Sequence, residues 1–174
     1  MKKLLVLTLI FFAGAHLMAQ EELKPQFKIP SVNITDVDGN KINTAELNNG
    51  GKPYIISFWA TWCKPCIKEL TTIADVYQDW QDETGIKLFA VSIDNSRSVA
   101  QVKPLVNGKN WDYKVLLDVN NEFKRAMNVN AVPHTFLVNS KGEVVWQHTS
   151  FSEGAELELI KLVRELVKTE ETSK

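Results

Sequence analysis

The sequence predicts an α/β protein with a central mixed β-sheet and helices on both of its sides. Two observations lead to this class. Apolar, strand-like runs alternate with segments of helical period early in the chain, and the last strand-like runs are joined by a hairpin turn. Alternating strands and helices form parallel pairs, whereas a hairpin adds an antiparallel pair, so the sheet is expected to be mixed.

The N-terminal residues predict an export signal that precedes the fold. Lys2 and Lys3 come before an apolar run at residues 4–15, and the segment closes on the small residue Ala19. We expect cleavage after Ala19 and a periplasmic location. The alternative is a retained membrane anchor, although the apolar run is shorter than the roughly 20 residues that a spanning helix needs.

Composition limits what the remaining chain does. Removal of residues 1–19 leaves residues 20–174, about 155 residues, which we expect to form one domain with its core at about residues 27–168. The removed segment holds two lysines and no acidic residue, so the formal net charge changes from −1 to −3. This charge gives no reason to expect nucleic acid as a partner, and we expect a monomer.

The first half of the mature chain predicts a hairpin, a buried strand and a helix. Residues 26–35 alternate loosely and lead into a turn signal at residues 36–40, which predicts a short N-terminal hairpin or a pair of edge strands. The continuous apolar run Tyr54–Trp59 predicts a strand buried on both faces. Apolar residues at helical spacing over residues 66–80 predict one helix that begins at the cysteines and stops before Gly85.

The second half predicts further strands and helices and a charged tail that should fray at residues 169–174. Pro104 should weaken or kink one of these helices. The expected elements are a strand at 86–93, a helix at 99–106, a strand at 113–117, a helix at 121–127, a strand at 134–138, a turn at 139–142, a strand at 143–148 and an amphipathic helix at 155–168.

The only two cysteines, Cys63 and Cys66, lie between the buried strand and its helix, at the strand end where α/β sheets place their chemistry. As a structural disulfide they would close a very short loop, and stabilisation grows with loop length. As a copper or zinc site they would need more ligands, for which the mature chain offers only His134 and His148. A redox pair is the third interpretation.

Redox chemistry agrees best with the local physics. A cysteine at a helix N-terminus faces unpaired N–H groups that favour its thiolate. Lys64 adds positive charge or merely keeps the loop soluble, and Pro65 stiffens the loop. We expect Cys63 to be the attacking thiolate and Cys66 the resolving thiol.

Two segments carry a family resemblance. Residues 58–66, FWATWCKPC, and residues 132–136, VPHTF, resemble the two landmarks of thioredoxin-fold oxidoreductases. The resemblance covers residues 27–167 and is closest to the exported TlpA/ResA-type branch of the thioredoxin-like superfamily, with an AhpC/TSA-redoxin-like domain. It implies a thioredoxin-like fold with an N-terminal β-hairpin and a mid-chain βα insertion at about residues 94–117.

The resemblance also implies a site. Pro133 should follow a cis peptide bond and pack beside Cys63, while the backbone of Val132 is offered to an extended client segment; a plain turn proline is the alternative. The residues expected to contact the client are Trp62, Lys64, Pro65, Val132 and His134.

The chain departs from cytosolic thioredoxins at two positions. Ser57 stands where those proteins carry a buried aspartate, so the base must come from elsewhere. Our hypothesis is that Glu69, partly buried and with a raised pKa, accepts the proton of Cys66; the alternative is an exposed helix glutamate. His134 replaces the more usual threonine, and its ring either stabilises the thiolate when protonated or points into solvent.

The resemblance implies a reductase of disulfides in exported proteins. It implies a membrane electron donor of thiol-disulfide type, apocytochrome c as a client type, and no cofactor. An oxidase or isomerase stays open, because a stabilised thiolate makes the protein more oxidising. Three rivals are a thiol peroxidase, whose Pro-x-x-x-Thr-x-x-Cys setting is missing, a copper-handling protein that uses His134, and a non-catalytic interaction domain.

Overall fold

The structure, a computed structural model, describes residues 23–172, so the predicted signal peptide lies outside the described residues. The strands are β1 (Phe27–Lys28), β2 (Asn33–Asp36), β3 (Lys41–Asn43), β4 (Tyr54–Trp59), β5 (Lys87–Ser92), β6 (Lys114–Leu117), β7 (His134–Val138) and β8 (Glu143–Thr149). The helices are α1 (Lys64–Ala74), α2 (Tyr77–Thr84), α3 (Val102–Gly108), α4 (Glu122–Ala126) and α5 (Ala155–Thr172).

The described strands form one mixed sheet in the order β1-β8-β7-β4-β5-β6-β2-β3. β4, β5 and β6 run parallel to one another, and the remaining neighbours pair antiparallel. Every residue of the central strand β4 is buried, as its continuous apolar run predicts. The predicted mixed sheet is confirmed.

The N-terminal segment forms both of the expected arrangements. β1 pairs with β8 at one edge of the sheet, and β2 and β3 form a hairpin at the other edge. Asp36 holds this hairpin, because its carboxylate accepts the backbone N–H groups of Asp38 and Asn40 at 3.0 Å and pairs with Lys114 Nζ of β6 at 2.8 Å. The Lys114 ammonium keeps the pKa of Asp36 below its ordinary value.

Helices cover both faces of the sheet. Phe58 of β4 packs against Phe123 of α4 with ring centroids 5.2 Å apart. The preceding residue, Ser57, points to the opposite face, where the hydroxyl of Thr135 links it to Glu69 of α1. The helices α2 and α5 contact each other and α1 on that second face.

Two helix predictions need correction. The helix expected over residues 66–80 is two helices, because Val76 (φ −124°, ψ 2°) leaves helical geometry between Ala74 and Tyr77. The apolar residues keep their helical spacing across the break, because α1 and α2 both face the core. Pro104 lies in the first turn of α3, where a missing N–H leaves no helical bond unmade, and a 3₁₀ turn at Val99–Gln101 precedes it.

The tail is ordered further than expected. Fraying from residue 169 is wrong for the described residues, because α5 continues to Thr172. The Glu170 carboxylate accepts the backbone N–H of Ser140 at 2.9 Å, and Thr172 Oγ1 donates to the Lys168 carbonyl at 3.1 Å. The first bond ties the end of α5 to the β7–β8 connection, and the second lies within the last turn of the helix.

Candidate active site

The two cysteines lie where the chain passes from β4 into α1. Cys63 is the N-cap of α1, and its Sγ accepts the backbone N–H of Cys66 at 3.3 Å. The two residues are joined by a disulfide with their Cα atoms 5.3 Å apart. Cys63 keeps 6% of its surface exposed while Cys66 is fully buried, which agrees with Cys63 as the sulfur that meets a client.

Asp94 fixes the loop that carries the cysteines. Its fully buried carboxylate accepts the backbone N–H of Thr61 at 2.8 Å and the hydroxyl of the same residue at 2.6 Å. The hydroxyl of Ser92 donates to it at 2.8 Å. Asp94 falls between the predicted strand at 86–93 and the predicted helix at 99–106, and the sequence analysis missed this role. The usable signal is the position of Asp94 just beyond β5, a buried strand parallel to β4, because the carboxyl ends of neighbouring parallel strands lie at the same edge of the sheet.

The second landmark reaches the cysteines from β7. The peptide bond between Val132 and Pro133 is cis, as the resemblance implies. The carbonyl oxygen of Val132 lies 3.7 Å from Cys63 Sγ, so this loop contacts the outer sulfur. Pro133 is buried and Val132 is partly exposed, which leaves the Val132 backbone at the surface beside the sulfur.

Glu69 is buried on the sheet side of α1, three residues beyond Cys66 and on the same helix face. Its exposed fraction is 8%, and its Oε1 accepts the Thr135 hydroxyl at 2.7 Å. Burial raises the pKa of Glu69 to about 7, and the hydrogen bond from Thr135 opposes that rise. An exposed helix glutamate is therefore wrong, while the role of Glu69 as proton acceptor stays a prediction.

Thr135 is a second residue that the sequence prediction missed. It lies opposite Ser57 in the β4–β7 register, and the two hydroxyl oxygens are 3.1 Å apart. Strand alternation is the usable signal: in β7, Thr135 must point away from the face that holds His134 and Phe136. The buried serine, threonine and glutamate thus form one polar network behind the cysteine pair.

His134 lies on the other face of β7. Its ring is buried, stacks on Phe136 with centroids 4.2 Å apart, and places Nε2 3.0 Å from Gln147 Oε1. Burial lowers the pKa of His134, which disfavours the imidazolium that was expected to support a thiolate. The alternative of a ring pointing into solvent is also wrong, because the core packs against it. Its contact with a client stays a prediction.

The rim around the cysteines is exposed. Trp62 leaves 63% of its surface accessible, and Lys64 and Pro65 are exposed as well. An exposed indole beside a reactive sulfur can pack against a client chain. Client contacts of these three residues stay predictions.

The described residues show no assembled metal site. Between residues 23 and 172, no group of three or more His, Cys, Asp or Glu side chains is arranged to hold a metal ion. In particular, Nε2 of His134 contacts Oε1 of Gln147, and His134 does not form a metal-binding group with the two cysteines. In the same range, no helix combines the length and apolar character needed to cross a membrane.

The chain is similar to known oxidoreductases. Residues 25–147 match the AhpC/TSA family. Thiol-disulfide oxidoreductase ResA of Bacillus subtilis is 30% identical over 134 residues, which cover 77% of this chain and 69% of that protein. Sporulation thiol-disulfide oxidoreductase A of the same organism is 32% identical over 136 residues, which cover 77% of this chain and 78% of that protein.

Solved structures show the same architecture. The solution structure of a thioredoxin-like protein from Porphyromonas gingivalis aligns with a TM-score of 0.73 at 54% identity, over 80% of this chain and 92% of that one. The crystal structure of StoA from Bacillus subtilis aligns with a TM-score of 0.61 at 24% identity, over 76% of this chain and 97% of that one. The predicted thioredoxin-like fold is confirmed.

Proposed function

Because the chain belongs to the AhpC/TSA family and is a thiol-disulfide oxidoreductase of thioredoxin-like fold, we propose that it reduces disulfides in exported proteins. Its relatives imply clients that contain disulfides. The observation that carries the proposal is the Cys63–Cys66 couple, with Cys63 at the N-terminus of α1 and beside the Val132 carbonyl.

In the proposed reaction, the Cys63 thiolate attacks a client disulfide and one client thiolate leaves. Cys66 then gives its proton to Glu69 and attacks the sulfur of Cys63. The Cys63–Cys66 bond forms, the bond to the client breaks, and the second client thiolate leaves with the electron pair. The client gains two electrons, and the cysteine pair is oxidised.

Burial and charge around Cys66 support the reducing direction. A thiolate at Cys66 would be fully buried and would lie on the same helix face as the Glu69 carboxyl. Burial and negative charge both disfavour that thiolate. The helix N-terminus stabilises the Cys63 thiolate and so makes the couple more oxidising, and the unfavourable surroundings of a Cys66 thiolate oppose this, since strong oxidants of this class owe their potential to a stabilised reduced form.

Export and partners belong to the same proposal. The residue pattern of positions 1–19 supports export with cleavage after Ala19. The TlpA/ResA-type resemblance supports a membrane thiol-disulfide protein as the electron donor and apocytochrome c as a client type. The couple needs no cofactor, because both electrons travel in the dithiol.

Trapping with Cys66→Ser tests the proposal. This variant keeps the attacking sulfur and lacks the resolving one, so it should hold clients of the exported fraction on Cys63 as mixed disulfides that a reductant releases. Cys63→Ser is the matched control and should hold none. Equal recovery with the two variants, or no partner with either, would overturn the proposal.

A further inference from the structure

A small cavity lies behind the active site, where Glu69 of α1 meets β7, β8 and α5. Its volume is about 20 Å³, enough for one water molecule. Each packed element contributes one polar residue to the lining: Glu69 from α1, Thr135 from β7, His148 from β8 and Glu156 from α5. A water needs two to four polar partners, and these side chains are the ones in the lining that can supply them.

Two carboxylate oxygens in this lining have no partner among the described residues. They are Glu69 Oε2 and Glu156 Oε2, and both are buried. A buried carboxylate oxygen without a hydrogen bond is costly, so a shared water would relieve both. Because Oε1 of Glu69 accepts the Thr135 hydroxyl, Oε2 is the oxygen that carries a proton in the neutral acid.

We infer that one water in this cavity bridges Glu69 and Glu156, and that Glu156 releases to solvent the proton that Glu69 takes from Cys66. The inference rests on the proposed function, because it concerns the proton of the same dithiol reaction. It assigns Glu156 to the enzyme as a proton-transfer residue that acts through Glu69.

The bridge gives the proton on Glu69 a route to solvent and back. Each client reduction leaves one proton on Glu69, and Glu69 has to be ionised to accept the proton of Cys66. The water takes the proton from Glu69 Oε2 and passes one of its own to Glu156. When a donor dithiol reduces the Cys63–Cys66 bond, the same path runs backwards and returns one proton to Cys66. With a pKa of about 7, Glu69 exchanges its proton near neutral pH.

Glu156 suits this role better than His148, the other titratable group in the lining. Glu156 lies in the first turn of α5 and is partly exposed, while its Oε2 is buried. The ring of His148 stacks on Trp146 with centroids 5.8 Å apart. Of Glu156 and His148, only Glu156 has a buried side-chain atom without a hydrogen-bond partner among the described residues.

Rapid mixing of the reduced protein with a disulfide client tests the inference between about pH 6 and 8. Part of the Glu69 population carries a proton near neutral pH and must lose it before it can accept the proton of Cys66. Glu156→Gln should therefore slow oxidation of the cysteine pair by about fivefold or more, within the contribution that positioned acids and bases make. Imidazole buffer should restore the rate, and Glu156→Asp should retain much of it. Glu158→Gln, an exposed glutamate in the same turn, is the control and should match the unmodified chain.

The Glu69→Gln background separates this role from a structural one. If Glu156 acts through Glu69, Glu156→Gln should cause no further loss there. A rate for Glu156→Gln equal to that of the unmodified chain overturns the inference and leaves the proposed function standing, as does a loss that persists in the Glu69→Gln background. A loss in His148→Gln instead also overturns it. Failure of the unmodified chain to reduce any client would overturn the proposed function and the inference together.

Discussion

Glu69 shows how one residue receives its chemistry from its surroundings. The sequence places it one helical turn beyond Cys66, and this spacing alone predicts a shared face. Its raised pKa comes from burial against the sheet, which no local pattern shows. The Thr135 hydroxyl donates a hydrogen bond to this buried carboxyl and also contacts the Ser57 hydroxyl. The two hydroxyls meet because the β4–β7 register places Thr135 opposite Ser57.

This raised pKa predicts how stability depends on pH. Between pH 4.5 and about 7, the folded protein keeps the Glu69 proton that the unfolded chain has lost, so this group makes the free energy of unfolding fall as pH rises. Glu69→Gln should remove that fall, and its stability relative to the unmodified chain should improve by roughly 3 kcal/mol across the window. Urea unfolding of the oxidised proteins at both ends of the window measures this.

Glu158→Gln is the control for that measurement, since Glu158 is exposed and its pH profile should parallel that of the unmodified chain. Parallel profiles for Glu69→Gln and the unmodified chain would contradict a raised pKa at Glu69.

Substitution of Trp62 should weaken client binding and leave the stability of the fold nearly unchanged. Because 63% of its surface is accessible, Trp62→Ala should change stability by no more than about 0.5 kcal/mol. Loss of an exposed aromatic contact beside Cys63 should raise KM for a protein client by about tenfold. Steady-state kinetics with a protein client provides the measurement, and Leu157→Ala, at 69% exposure on α5, is the matched control. Equal KM values for the two variants would exclude Trp62 from the client surface.

Among the elements, the β4–α1 loop depends on a residue from the neighbouring strand. Asp94→Ala should lower the free energy of unfolding by about 3 kcal/mol, because it leaves the Thr61 N–H and the Ser92 hydroxyl without their buried acceptor. Thr61→Val removes only one hydroxyl bond and should cost about 1 kcal/mol. Chemical unfolding of the oxidised proteins measures both, and costs in the reverse order would show that Asp94 is not the anchor.

Element by element, sequence prediction works where one local signal decides. Tyr54–Trp59 is found because a continuous apolar run marks a buried strand. His134–Val138 is found because β-branched and aromatic residues lead into the hairpin turn at 139–142. The break at Val76 is missed because the apolar period continues across it. The buried ring of His134 is missed because its packing depends on Gln147 of β8 and on the stacked Phe136.

At the scale of the whole molecule, the fold joins three distant stretches of chain at one end of the sheet. The cysteines follow β4, Asp94 follows β5, and the cis Val132–Pro133 bond precedes β7. The cysteine pair and the cis proline are predictable, since their motifs are local and the resemblance pairs them. The Asp94 anchor and the Glu69–Glu156 cavity arise only when sheet order and helix packing bring their elements together.

The direction of electron flow is a property of this whole arrangement, so the reduction potential of the Cys63–Cys66 couple tests the central claim most directly. Equilibration with glutathione buffers, followed by alkylation and mass measurement, gives that potential. A reductase whose buried Cys66 gains little thiolate stabilisation should lie between about −300 and −220 mV, near thioredoxin and the glutaredoxins. A value above about −180 mV, in the range of protein disulfide isomerase and stronger oxidants, would contradict the account.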